Sequence, residues 1–312
     1  MSEKRALRDA YGKTLMALAE ENPRIVALDA DLSGSTRTGW FAKKYPDRFF
    51  NAGVAEADMI GTAAGLSSVG LIPFASTFAV FGTGRCYDQI RQSVCLNRSN
   101  VKIVCTHGGI TVGEDGGSHQ MLEDFGLMRG LPHMKVAVPC DAVETEASVR
   151  IAASDDGPWY IRLTREKFPV LYGEGECPFA PGRAHTLREG RDLGIVACGL
   201  MVHAALEAAR LLAAEGIEAE VLNSASIKPL DADAVEALAR KTGKILTAEE
   251  HFVSGGLGGA VAETLSERFP VPVLRVGVRD RFGQSGTSAD LVKHYGLDAE
   301  SVAAEARSFL GR

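Results

Sequence analysis

The sequence predicts an α/β protein of two domains, each a mostly parallel sheet flanked by helices. Three observations predict this fold class. Short apolar runs alternate with segments of helical spacing, several runs lead directly into polar loops, and a segment rich in glycine and proline divides the alternation in two. Strands that alternate with helices are typical of parallel sheets with right-handed crossovers. In such sheets ligands bind beyond the carboxyl ends of the strands, where the polar loops begin.

The first half of the chain predicts one α/β domain. Apolar positions at helical spacing over 5–21 predict a helix that ends before Pro23. Continuous apolar runs then predict strands that are covered on both faces. We place these strands at 25–28, 71–75, 101–105, 136–138 and 159–163, and helices between them at 36–44, 56–68, 79–95 and 141–153. Polar loops are expected after each strand, including Ser76 to Phe78.

The second half repeats the alternation after a linker. Glycine and proline are too frequent over 168–183 for a helix or strand. Beyond the linker we place strands at 193–198, 218–222, 244–249 and 271–276, and helices at 201–215, 231–241, 256–268 and 298–310. We therefore expect a first domain over 1–167, a linker over 168–183 and a smaller second domain over 184–312.

Composition argues against several classes of function. The net charge is −6 and the acidic and basic residues are interspersed, so we expect neither a nucleic-acid surface nor attachment to an anionic membrane. The uncharged tract from Met59 to Gly84 is long enough to span a bilayer, but its glycines, its proline and its hydroxyl groups favour a buried core. The six cysteines form no CxxC pair and no signal peptide is recognisable, so we expect a soluble, cytoplasmic protein with reduced thiols.

Glu56 is the first candidate functional residue. It follows a short aromatic run at Phe49 that predicts a buried strand, and it lies in the predicted turn or first turn of the next helix. A carboxylate there is either a helix N-terminal charge or a functional acid whose pKa is raised by burial. Position alone favours the first alternative, and the other polar segments favour the second.

The densest polar segment is the glycine-rich loop from Thr106 to Gln120. It holds two of the seven histidines, His107 and His119, together with two carboxylates. Imidazoles on such a loop can donate and accept protons near neutral pH. The alternative is a solvated loop whose polar residues cap neighbouring elements. A metal site is less favoured, because the spacing matches no common ligand motif.

Two later segments give weaker evidence of a function. The glycines from Gly255 to Gly259 loosely resemble a dinucleotide fingerprint, but their spacing is off and close packing of a helix on a strand explains them better. For the adjacent Glu249, Glu250 and His251 we expect a surface or subunit-contact role.

Taken together, these segments resemble transketolase, specifically its pyrimidine-binding and C-terminal domains. The resemblance covers nearly the whole chain, and its motifs occur in the family's order. The segments that support it are Ala30-Asp31-Leu-Ser-Gly-Ser35, Gly53-Val-Ala-Glu56, Ser76-Thr-Phe78, Thr106-His107, Gly113-Glu-Asp115-Gly-Gly-Ser-His119-Gln120, Leu163-Thr-Arg165 and Glu249-Glu250-His251 with Gly255-Gly-Leu-Gly-Gly.

The resemblance implies thiamine diphosphate as the cofactor, whose C2 carbanion would cleave a ketose and pass a two-carbon ketol unit to an aldose. By position, Glu56 matches the glutamate that hydrogen-bonds the pyrimidine ring, and burial is expected to keep its carboxyl protonated. Phe78 and Phe81 match aromatic residues that stack on that ring. Asp31 matches a carboxylate near the cofactor.

The resemblance also implies the sugar site. His107 and His119 match imidazoles around the reacting carbons, so that Glu56, His107 and His119 form the expected catalytic set. Asp115 matches a carboxylate that bonds substrate hydroxyls. The expected phosphate-binding residues for sugar phosphate substrates are Arg8, Ser35 and Arg165, a role that suits guanidinium groups.

The sequence departs from the family pattern in three places. A third wall aromatic falls at Gly84, so another residue such as Tyr87 would complete the wall. The loop reads Gly-Gly-Ser-His where Gly-Pro-Thr-His is commoner. The family's Gly-Asp-Gly…Asn motif for diphosphate and Mg²⁺ is absent, so no metal ligand is expected in this chain.

We infer the C-terminal subunit of a split transketolase, with a separate N-terminal subunit that binds the diphosphate and Mg²⁺. Self-association through the pyrimidine-binding domain would then make a heterotetramer.

Four alternatives compete with this interpretation. A 1-deoxyxylulose-5-phosphate synthase-like half is disfavoured by His107, and the β subunit of a 2-oxoacid dehydrogenase by the Glu114–Gln120 run. A non-catalytic partner subunit predicts loss of Glu56, His107 or His119, and all three are present. A nicotinamide-dependent dehydrogenase rests only on the glycines near Gly258.

Overall fold

The computed structural model describes residues 3–312 and confirms the α/β fold with two mostly parallel sheets. The strands are β1 Lys4–Ala6, β2 Ile25–Asp29, β3 Phe49–Asn51, β4 Ile72–Phe78, β5 Lys102–Thr106, β6 Lys135–Ala137, β7 Trp159–Arg162, β8 Lys167–Pro169, β9 His185–Arg188, β10 Leu193–Ala197, β11 Ala219–Asn223, β12 Ser226–Lys228, β13 Ile245–Phe252 and β14 Val273–Val278.

Helices connect these strands and cover the sheets. They are α1 Leu7–Glu21, α2 Ser33–Thr36, α3 Thr38–Lys44, α4 Glu56–Ser68, α5 Tyr87–Gln89, α6 Asp124–Arg129, α7 Ala142–Ser154, α8 Met201–Ala213, α9 Ala232–Thr242, α10 Leu257–Arg268, α11 Ser288–His294 and α12 Ala299–Leu310. Short 3₁₀ turns occupy Pro46–Arg48 and Ile110–Val112, and wider π-type turns occupy Val80–Arg85 and Ile90–Cys95.

The first sheet has seven strands in the order β12-β6-β7-β5-β4-β2-β3. All its neighbours are parallel except the edge pair β12–β6. The second sheet has five strands in the order β14-β13-β10-β11-β9, and only β9 is antiparallel to its neighbour. Strands β2, β4, β5, β7, β10 and β11 are buried along their whole length. Full burial explains why they read as continuous apolar runs.

Strand β12 links the two halves of the chain. It belongs to the second half but pairs with β6 at the edge of the first sheet, so that Ser226 lies opposite Ala137. The sequence did not predict that β12 pairs with the first sheet, because a strand of only three residues has no periodicity of its own. The boundaries at 167 and 184 stay a prediction.

Several local predictions are wrong. The segment 168–183, expected to hold no strand, begins inside β8, which pairs antiparallel with β1. Strand β4 continues through Ser76 to Phe78 instead of ending in a loop, because these residues pair with β5; Ser76 Oγ lies 2.7 Å from Tyr11 Oη of α1. Strand β3 is a partly exposed edge strand and not a buried one. The helix predicted over 79–95 is interrupted by the two π-type turns.

No helix within residues 3–312 combines the length and apolar character needed to cross a bilayer. All six cysteines are free thiols, and five of them are buried.

Candidate functional site

The carboxyl ends of the first sheet's strands bring most of the predicted site residues to one edge. Phe78 ends β4 and pairs with Thr106 at the end of β5, so His107 begins the next loop beside it. Cys105 pairs with Arg162 at the end of β7, three residues before Arg165. Because these strands are parallel, their ends meet at the same edge of the sheet. The site is thus assembled from loops whose starting points the sheet aligns.

Glu56 is the first residue of α4 and is only 2% exposed. Its Oε2 atom accepts a hydrogen bond from Arg85 Nη1 at 2.7 Å. The Arg85 guanidinium also lies over the ring of Phe81, 4.6 Å from the centroid. Arg85 ends the π-type turn Val80–Arg85, and such turns often occur at functional sites because they redirect side chains. From the sequence we expected burial alone to set the protonation state of Glu56. The sequence did not predict Arg85 as its charged partner.

Four rings form a continuous row, which we call the aromatic row: His107, Phe78, Phe81 and His119. The rings of His107 and Phe78 stack with centroids 3.8 Å apart, and those of Phe78 and Phe81 with centroids 6.0 Å apart. His119 meets Phe81 edge-on at 5.4 Å. The structure therefore brings both predicted histidines and both predicted wall aromatics into one surface.

His107 is held as a buried, neutral imidazole. Its backbone adopts φ +57° and its Nδ1 atom lies 2.8 Å from Thr106 Oγ1. Burial lowers the pKa of His107 to about 3, and the positive charges of Arg8, Arg165 and Arg37 contribute to this shift, followed by that of His119. At neutral pH the ring is therefore uncharged and has one nitrogen that donates a hydrogen bond and one that accepts.

Three guanidinium groups lie near His107. Arg8 donates from Nη1 to the backbone oxygen of Ser35 at 3.2 Å, which joins two of the predicted phosphate-binding residues. Burial lowers the pKa of Arg8, and the charge of Arg37 adds to this effect. Arg165 donates to the backbone oxygen of Val112 at 2.6 Å. Converging arginines of this kind suit a phosphate or sulfonate group.

Sequence reasoning missed Arg37. It lies two residues after Ser35, at the joint between α2 and α3, with φ +74°, and donates from Nε to Asp9 at 2.6 Å. The feature of the sequence that could have identified Arg37 as a site residue is its position in the polar loop after β2.

Asp31 and Asp115 are placed apart from the row. Both are exposed, Asp31 in the loop after β2 and Asp115 near the tip of the loop that holds His119. Asn51 Oδ1 accepts from the Asp31 backbone N–H at 3.1 Å. Across residues 3–312 neither carboxylate bonds another predicted site residue, and no group of three His, Cys, Asp or Glu side chains is arranged to hold a metal ion.

The aromatic wall lacks a ring at Gly84, which is exposed. Tyr87 is half-buried and packs on the hydrophobic core. The group that lies over Phe81 is the Arg85 guanidinium.

Glu249, Glu250 and His251 are buried, so the predicted surface role is wrong. Glu249 accepts from the backbone N–H groups of Leu257 and Gly258 at 2.6 and 2.7 Å, and thereby caps α10. A dinucleotide phosphate would need the helix N-terminus that this carboxylate already occupies. The nicotinamide alternative therefore loses its only support.

The chain matches two family models: the transketolase pyrimidine binding domain over residues 3–170 and the transketolase C-terminal domain over residues 182–302. It belongs to the transketolase family.

Its relatives within the transketolase family include chains of similar length. A Methanocaldococcus jannaschii protein named as a transketolase C-terminal section is 47% identical over 301 residues, covering 96% of this chain and 94% of that one. A 6-deoxy-6-sulfo-D-fructose transketolase subunit of Clostridium sp. is 45% identical over 300 residues, covering 96% and 93%. A solved split gene transketolase, described as an inactive beta4 tetramer, is 51% identical with a TM-score of 0.90 and covers 99% of both chains.

The burial of His107 predicts an acid-dependent loss of stability in this transketolase-family chain. Its pKa is near 6.5 when unfolded and about 3 when folded, so between these values the unfolded state binds the extra proton. The contribution of the neutral His107 ring to the free energy of unfolding is therefore fully present above pH 6.5. It is lost as the pH falls, by up to about 1.4 kcal/mol per pH unit. His107→Asn should remove this slope from urea-unfolding free energies measured between pH 6 and 4.5.

The control is His294→Asn, which alters an exposed histidine of α11 and should leave the slope unchanged. An unchanged slope in His107→Asn would contradict the buried, neutral state of this ring.

Proposed function

We propose that this chain is the C-terminal subunit of a split, thiamine diphosphate-dependent transketolase, which transfers a two-carbon ketol unit from a ketose phosphate to an aldose phosphate. The observation that supports this most is the placement of Glu56, buried at the start of α4, beside the aromatic row. In the proposal, Glu56, His107 and His119 are the catalytic residues.

The residues at Glu56 fit a flat ring that can hydrogen-bond a carboxyl group. The Arg85 guanidinium is itself planar and donating, and it both stacks on Phe81 and donates to Glu56. An aminopyrimidine is also planar, so once Arg85 moves aside it would stack on Phe81 and hydrogen-bond Glu56; this arginine is half-exposed. Thiamine diphosphate, when bound, supplies the nucleophilic carbon for cleavage of the C–C bond beside a sugar carbonyl.

This chain's own side chains would hold and orient the two reactants. In the proposal the Glu56 carboxyl, when protonated, would donate a hydrogen bond to the cofactor ring, Phe78 and Phe81 would form its apolar wall, and Asp31 would bind elsewhere on the cofactor. His107, being neutral, can hydrogen-bond a sugar hydroxyl, and His119, at the far end of the row, would contact the sugar from there. In the proposal both imidazoles contact substrate oxygens, where they would hydrogen-bond them and assist proton transfer.

The arginines suggest substrates that end in an oxyanion. Arg8, Arg37 and Arg165 with Ser35 would bind the sugar phosphate, while Asp115 would bond sugar hydroxyls. The Clostridium relative is named for a sulfonated sugar. A sulfonate is also a compact anion with several acceptor oxygens, so the same guanidinium groups suit it.

The proposal requires an N-terminal subunit. The Gly-Asp-Gly…Asn motif is absent from the sequence, and two relatives of nearly the same length are named as a C-terminal section and a split gene product. The partner would supply the diphosphate site and the Mg²⁺ ligands. Self-association through the pyrimidine-binding domain, residues 1–167, would complete a heterotetramer. Six free thiols suit a reducing compartment, and we place the enzyme in the cytoplasm.

Glu56→Ala should abolish ketol transfer when the chain is combined with a partner that bears Gly-Asp-Gly…Asn, thiamine diphosphate and Mg²⁺. Loss of a group that assists proton movement costs about 10²–10⁴-fold. The measurement is the rate of product formation from a ketose phosphate and an aldose phosphate.

Asp58→Ala is the matched control, since it removes an exposed carboxylate from the same first turn of α4. Near-normal turnover in Glu56→Ala would refute the role of Glu56. Activity of the wild-type complex only with pyruvate as donor would favour the 1-deoxyxylulose-5-phosphate synthase-like alternative.

Arg165→Ala should raise KM for phosphorylated donors about 10- to 100-fold and leave kcat similar, because a charged hydrogen bond to the phosphate is worth about 1.5–3 kcal/mol. Steady-state kinetics with a ketose phosphate and with a non-phosphorylated ketose separate this role from a general one. An equal loss of kcat/KM with both donors would show that Arg165 does not bind the phosphate.

A further inference from the structure

The loop from Thr106 to Gln120, here called the histidine loop, is held from beneath by a buried ion pair that joins the two domains. Arg162 ends β7 of the first sheet and Glu250 lies in β13 of the second, and each is 2% exposed. Arg162 Nη1 donates to the backbone oxygen of Glu250 at 2.9 Å, and Nη2 lies 3.7 Å from Glu250 Oε2. The proposed reaction assigns no role to either residue.

Glu250 contacts the histidine loop directly. Its Oε1 atom accepts from the Thr111 backbone N–H at 2.8 Å while its Oε2 atom faces Arg162. One carboxylate therefore serves a loop amide and a buried cation at the same time. Asp124 is a second carboxyl group on the same cation: its Oδ2 lies 3.5 Å from Arg162 Nε and accepts a hydrogen bond from the Tyr160 hydroxyl at 2.6 Å.

The loop backbone is shaped to rest on this pair. A Cβ atom on Gly108 would collide with Arg162, and one on Gly109 would collide with Glu250 and with Arg162. Gly109 also has φ +82°, which favours glycine. Only glycines allow the chain that follows His107 to lie so close to the two charged side chains.

A second contact from the C-terminal domain braces the other end of the histidine loop. Gln120 Nε2 donates to the backbone oxygens of Ile110, Gly113 and Gln284 at 3.1, 3.2 and 3.0 Å. A Cβ atom on Gly283 would collide with the Gln120 side chain. The C-terminal domain thus touches the loop at both ends, near each histidine.

We propose that Glu250, through Thr111 and Arg162, is a positioning residue that holds the histidine loop so that His107 and His119 face the substrate. This inference rests on the proposed function for its effect on the reaction. It gives the C-terminal domain a part in catalysis through a residue to which the proposed function assigns no contact with the substrate. Small displacements of a catalytic group are costly; about 1 Å can lower a rate 10²-fold.

The test compares Glu250→Gln with Glu249→Gln. An amide has one acceptor oxygen, so the side chain of the Glu250→Gln variant cannot accept from Thr111 and face Arg162 with oxygen at once. Glu249 is the matched control: it is adjacent and equally buried, but it caps α10 and does not contact the loop. In the complex with the N-terminal subunit, Glu250→Gln should lower kcat at least about tenfold with a smaller change in KM, whereas Glu249→Gln should stay within about twofold.

Amide hydrogen exchange of the full chain provides a readout that does not need activity. Glu250→Gln should speed exchange over 107–113, and Glu249→Gln over 257–260 only. Gly109→Ala, which pushes the loop away from an intact Glu250, should reproduce both effects of Glu250→Gln.

The remaining outcomes overturn either the inference or the proposed function on which it rests. Loss of kcat in both glutamine variants in proportion to lost stability would mean a merely structural role, and faster loop exchange with unchanged kcat would mean that loop position does not matter. A wild-type complex without ketol transfer would refute the proposed function instead; unchanged exchange over 107–113 in Glu250→Gln would then refute the positioning contact as well.

Discussion

The parallel register of β2, β4, β5 and β7 is the constraint on which the rest of the site depends. It aligns the carboxyl ends of these strands, so residues far apart in sequence begin their loops side by side. Phe78 and Thr106 are paired at the last step of the ladder, and the next residue, His107, stacks on Phe78. A shift of one residue in this register would turn Phe78 to the opposite face and separate the two rings.

Burial and charge act together on the groups that the register assembles. His107 is surrounded by arginines and apolar surface, and both disfavour its protonated form. Glu56 has a cation at 2.7 Å whose side chain is half-exposed, so that this arginine can move into solvent when a ligand takes its place. By contrast, Arg162 and Glu250 are both fully enclosed, and breaking such a pair leaves an uncompensated buried charge. The site thus combines one ion pair whose arginine is half-exposed with one pair that is buried on both sides beneath the histidine loop.

The sequence predicted what depends on local pattern. The central strands, the helix that starts at Glu56, the polar loops and the order of the family motifs could all be read from residue types at fixed spacing. It could not predict partners distant in the chain. Arg85 beside Glu56 depends on the width of the π-type turn, and Glu250 beneath Thr111 depends on how two domains pack. Glu250 was assigned to the surface because a charged run is usually solvated, whereas here each charge has a buried partner.

The central claim is that two different polypeptides hold one cofactor, and calorimetry tests it most directly. Thiamine diphosphate with Mg²⁺ would be titrated into this chain alone and then into its complex with the N-terminal subunit. We expect weak binding to the chain alone, because Arg85 already occupies Glu56 and Phe81 and the diphosphate motif is absent. Binding should be tight in the complex. Equally tight binding to the chain alone would contradict the claim.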